Sequence, residues 1–93
     1  MELKDYRAAI DDIDRELLAL FARRLALCGE IAGWKKEHGL GALDEARERA
    51  KLAAVAAQSP AEYEAETAAF FERVIALCRA SEERLLSEGG KES

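Results

Sequence analysis

Proline is almost missing from this sequence, with one in 93 residues, and its six glycines fall at 29–41 and 89–90. The long stretches between these breakers are rich in Ala, Leu, Glu and Arg, which favours helix. Histidine is rarer still than glycine. His38 stands alone, so no metal site of recognisable spacing exists. Cys28 and Cys78 lie 50 residues apart and form no CxxC pair; two free thiols in a reduced compartment is the simplest reading. A disulfide between them has no support in the sequence. There is no Gly-rich phosphate loop, no GxSxG and no Cys/His pairing that would mark a nucleophile. The longest apolar runs are far too short to span a membrane. The net charge of −5 argues against nucleic acid as the main partner. Residues 1–12 are acidic and carry no signal-peptide core, so a cytoplasmic location is expected.

What remains is a helical chain with a strong apolar pattern. Its 93 residues suffice for one domain, expected over residues 1–88, with 89–93 as a flexible tail after a Gly89-Gly90 stop. A chain of this size buries only about 60–65% of its unfolded surface, so burial in an oligomer would help it. Residues 4–37 read as one helix. Leu3, Ile10, Leu17 and Ile31 share one heptad position; Tyr6, Ile13, Leu20, Leu27 and Trp34 share another. Such a helix is roughly 50 Å long, well beyond the roughly 30 Å width of a small domain. It must therefore run past its own core and pack against something else.

The stretch His38–Ala42 ends this helix, and a shorter one is expected from about Asp44, as N-cap, to Ala57. A third is expected to open on Ser59-Pro60-Ala61-Glu62, read as a capping box with proline at the first helical position. Its apolar stripe is Tyr63, Thr67, Phe70, Phe71, Val74, Leu77, Cys78, Ser81 and Leu85. The fold class is all-α: long, short, long.

The heptad seam has one polar interruption, at Arg24. A guanidinium that points inward is expensive unless an anion meets it. Arg24, Cys28, Ile31 and Lys35 form one strip at i, i+4, i+7 and i+11. Two readings are open. Arg24 pairs with an acidic side chain of another helix while Lys35 extends to water; or the two inward cations make an anion site. Glu82 is a similar anomaly, four residues after Cys78 on the inner side of the third helix, either a flanking edge charge or part of the same site.

At these residues the sequence resembles the all-helical chorismate mutases. Arg7 followed by Ile10-Asp11 and Ile13-Asp14 is similar to that family's opening, an arginine, then I-D-x-I-D and a leucine-rich helix. Arg23-Arg24 stands where the family ends its leucine run, Lys35 falls eleven residues later, and Asp44-Glu45-Ala46-Arg47-Glu48 resembles its D-x-x-R-E motif. The resemblance covers roughly residues 3–86. It implies an intertwined homodimer of three-helix chains that rearranges chorismate to prephenate with no metal and no cofactor. Position by position, it implies that Arg24, with Arg7 supplied by the partner subunit, binds substrate carboxylates. Lys35 would bond a carboxylate and the ether oxygen. Arg47 would position the substrate, with Asp44 near the ring hydroxyl region and Glu48 accepting from that hydroxyl. Cys78 would stand in the family's small polar position, and Glu82 against the ether oxygen opposite Lys35.

The chemistry asks for such groups. Chorismate is a dianion and its rearrangement is pericyclic, so no proton moves and no nucleophile attacks. A protein can fold the enolpyruvyl arm over the ring and stabilise charge on the ether oxygen. This sequence departs from the family pattern twice in the site: the usual serine is Cys78, a poorer hydrogen-bonding group, and the usual glutamine is Glu82, which donates only when protonated. The loop before Asp44 also lacks the family's frequent proline. Two other functions fit the same pattern: an isochorismate-pyruvate lyase on this fold, and a non-catalytic helical dimerisation module.

Overall fold

The computed structural model describes residues 1–90. They form α1 (Leu3–Glu37), α2 (Glu45–Gln58) and α3 (Glu64–Gly90), with a short 3-10 turn, Ala61–Tyr63, leading into α3. No strand occurs among the described residues.

The boundaries follow from local chemistry. The end of α1 is a Schellman turn: Leu40 N–H donates to Lys35 C=O at 2.9 Å and Gly39 N–H to Lys36 C=O at 3.3 Å. Gly39 has φ of 68°, where a Cβ is costly. Asp44 caps α2, its side chain accepting from Arg47 N–H at 3.0 Å.

Two expected boundaries are different. Ser59 does not cap α3. Its N–H closes α2 on Val55 C=O, and its hydroxyl meets the Thr67 hydroxyl at 2.7 Å. The chain instead turns through the 3-10 segment and enters α3 at Glu64. At the far end, α3 does not stop before the glycine pair but continues through Gly89 and Gly90. A glycine costs a helix only about 1 kcal/mol relative to alanine, so two of them at the end of 27 residues do not force a break. The rest of the expected tail, 91–93, lies outside the described residues.

α3 packs against α1 on one side and α2 on the other, so it buries two faces. Val74 and Cys78 of the expected stripe are buried, and so are Ile75 and Glu82 beside it, whereas Phe70, Leu77 and Leu85 are exposed. On α1 the buried residues are Cys28 and Ala32, in its C-terminal half. The heptad seam is open along its whole length: Ile10, Ile13, Leu17, Leu20, Leu27, Ile31 and Trp34 are all about half exposed or more. The chain measures 58 × 26 × 14 Å with a radius of gyration of 16.8 Å. A compact chain of this length would have about 12 Å. The overlong first helix expected from the sequence is present, and nothing among the described residues covers the seam.

Candidate active site

A cavity of about 480 Å³ opens between the C-terminal half of α1, the start of α2 and the middle of α3. Arg24 and Lys35 enter it from α1, together with Leu27, Cys28 and Ile31 of the same strip. Asp44, Arg47 and Glu48 enter from the first turns of α2, and Glu82 from α3. Six of the eight residues expected at the site therefore line one space. Cys78 stands behind the wall, bonded to Arg24. Arg7 does not reach the cavity: it is exposed, 17 residues before Arg24 on the same helix, which is roughly 25 Å.

The two readings of the inward cations can now be separated. Arg24 has no carboxylate partner among the described residues; its Nη1 donates to Cys78 Sγ at 2.6 Å. Lys35 does not extend to water. Its Nζ donates to Glu82 Oε1 at 2.8 Å and to Ala42 C=O at 2.8 Å. The Lys35 and Glu82 side chains are 14% and 10% exposed, so this ion pair is largely desolvated and Glu82 is no edge charge. Its geometry follows from spacing: Lys35 is one turn beyond Ile31 on the strip, and Glu82 is one turn beyond Cys78 on the facing helix.

Two further cations line the cavity that the sequence pattern did not single out, Lys51 and Arg79. Lys51 follows Arg47 by four residues, and that spacing alone places it on the same face of α2. Arg79 follows Cys78 directly and precedes Glu82 by three; its Nη1 donates to Glu48 Oε1 at 2.5 Å. The cavity thus holds Arg24, Lys35, Arg47, Lys51 and Arg79 against Asp44, Glu48 and Glu82: five cations and three carboxylates, a surplus of two positive charges. The whole chain carries −5.

Each carboxylate in the cavity already accepts from the protein: Asp44 from Arg47 N–H, Glu48 from Arg79 and Glu82 from Lys35. Arg24, resting on a thiol, is short of an anion, and Arg47 and Lys51 form no ion pair within the described residues. Among those residues no three His, Cys, Asp or Glu side chains gather as a metal site. The Cys28 thiol is pushed up to about 12. Burial is the main cause, followed by its bond with the Cys78 thiol; nearby Arg24 opposes the rise and Glu82 adds to it. Cys28 is an uncharged part of the wall.

Among the described residues, this cavity's cations exceed its carboxylates by two charges, an excess that suits a small anion. The chain matches the family model of chorismate mutase type II over residues 6–83 and belongs to that family of isomerases. It is 48% identical over 52 residues to the T-protein of Haemophilus influenzae, a match that takes in 56% of this chain. The chain covers 14% of that protein's length. No solved structure matches it. Among the described residues, no helix is long and apolar enough to cross a membrane.

Proposed function

We propose that this chain converts chorismate to prephenate, a step in aromatic amino-acid biosynthesis, as a cytoplasmic intertwined homodimer that uses no cofactor. The observation that carries the reading is the charge of the cavity. Two surplus cations match a dicarboxylate, and Arg24, Lys35 and Arg47 stand where the sequence resembles the family's pattern.

In the proposed reaction Arg24, with Arg7 supplied by the partner subunit, binds the carboxylates, and Arg47 helps to fold the enolpyruvyl arm over the ring. One carbon–oxygen bond breaks as one carbon–carbon bond forms, and negative charge gathers on the ether oxygen. Lys35 donates to that oxygen, already fixed by Ala42 C=O and so needing little reorganisation. Glu82 faces the same point and, as the partner of Lys35, holds that ammonium in place. Asp44 and Glu48 take the ring hydroxyl side, and Cys78 supports Arg24.

The homodimer reading is supported by the open seam of α1. Antiparallel pairing of two such helices would bury both seams. It would also bring Arg7 of one subunit beside the Arg24 cavity of the other, a distance that one straight helix cannot bridge.

Incubation of the protein with chorismate, and separately with isochorismate, tests the reading. Prephenate from the first is the expected product. Pyruvate and salicylate from the second would make the chain a lyase, and no turnover of either would make it a dimerisation module.

A further inference from the structure

Arg79 occupies a position to which the family pattern gave no role, yet it forms an ion pair across the cavity. From the middle of α3 it crosses to α2 and donates to Glu48 Oε1 at 2.5 Å. Its Nε lies 3.9 Å from Glu83 Oε1, one turn along its own helix, which restrains the guanidinium from behind. The Arg79 and Glu48 side chains are 32% and 22% exposed, so the pair is partly desolvated. One turn further along α3, Glu82 takes Lys35 of α1. α3 therefore offers a cation to α2 and an anion to α1, at i and i+3 of one face.

We propose that Arg79 is a positioning residue: it anchors one oxygen of Glu48 so that the other is presented to the ring hydroxyl of the bound dianion. The proposal rests on the functional reading above. Glu48 has three rotatable bonds and a competing cation on its own helix, Lys51 at i+3. Oε2 of Glu48 has no protein donor among the described residues. The planar fork of Arg79 selects one carboxylate orientation before any ligand arrives, which lysine at this place would do less well. Arg79 acts here through Glu48 and not on the reacting atoms.

A double-mutant cycle tests this. kcat and KM for chorismate, with melting temperature, are measured for the wild type, Arg79→Met, Glu48→Gln and the double variant. Arg79→Met should lower kcat/KM about tenfold to a hundredfold, the usual cost of a misplaced group. In the Glu48→Gln background the same substitution should change it by no more than about twofold. Arg79→Lys should recover part of the loss, and it carries the cycle if Arg79→Met does not fold. Equal losses in both backgrounds would mean that Arg79 meets the ligand itself or only braces α2 against α3, and would overturn the proposal. So would a normal kcat/KM for Arg79→Met. A wild type that leaves chorismate unchanged would overturn the functional reading, and the positioning role with it.

Discussion

The charge on Glu82 works against the proposed reaction, and one substitution removes it. It faces Lys35 at 2.8 Å in a largely desolvated pair, at the point where the ether oxygen would lie. As the acid it can donate to that oxygen; as the carboxylate it can only repel the charge gathering there. Two unit charges about 4 Å apart interact by about 4 kcal/mol at an effective dielectric of about 20, so half a unit of developing charge costs about 2 kcal/mol. A barrier higher by about 2 kcal/mol is about thirtyfold in rate. Glu82→Gln keeps the shape, leaves Lys35 an oxygen acceptor, removes the charge and supplies an N–H donor. It should therefore raise kcat by up to about thirtyfold. The assay is chorismate consumption under saturating conditions near neutral pH, with circular dichroism to show that both proteins are folded. An equal or lower kcat for Glu82→Gln would refute the placement of Glu82 at the oxygen.

Lys35→Ala should cost at least about a hundredfold in turnover, as loss of a preorganised donor does. It should also destabilise the chain by about 3 kcal/mol in a denaturant titration, because Glu82 is left buried without its counter-charge. Arg24→Ala should cost a similar factor in turnover with little change in stability, since its partner among the described residues is a thiol. Sedimentation at micromolar concentration should give twice the 10.3 kDa chain mass, Leu17→Glu on the open seam should return the monomer, and Arg7→Ala should lose activity while remaining dimeric. With its folded pKa raised from 9.0 to about 12, Cys28 favours the folded state fully below pH 9. That contribution falls as pH rises towards 12, and Cys28 should resist alkylation at pH 8 until the protein is unfolded.

The features legible in the sequence are those fixed by neighbours along the chain. Gly39 and Asp44 set the end of α1 and the start of α2 within a few residues of themselves, so composition and spacing were enough. The strip from Arg24 to Lys35 was legible for the same reason, one helix face read at its own period. Features that depend on a second element were not. Ser59 carries a capping sequence, but Thr67 engages its hydroxyl and Val55 its N–H. Ile75 lay outside the stripe assigned to α3 because that stripe assumed one buried face, and α3 has two. Lys51 and Arg79 do not stand out in the sequence, because only the crossing of α2 and α3 turns them to the cavity. Arg7 remains apart from the cavity within one chain, so its assigned role depends on the second subunit.

The unequal partners of the cavity's cations divide binding from chemistry. Arg24 rests on a thiol, a weak acceptor, so replacing Cys78 Sγ by a ligand carboxylate exchanges a poor bond for a charge-assisted one. Arg47 and Lys51 have no ion pair among the described residues to give up. Lys35 differs, since its ammonium must leave or share a buried carboxylate at 2.8 Å before it can serve a new acceptor. In the proposed reaction the net gain on binding then comes from Arg24, Arg47 and Lys51. Lys35 contributes little to ground-state affinity and most where charge on the ether oxygen outcompetes Glu82. An interaction that strengthens between the bound substrate and the transition state raises kcat and not affinity alone. In the proposed reaction, Glu82 in place of the family's usual glutamine would therefore lower the contribution of Lys35 to substrate affinity while leaving its contribution at the ether oxygen.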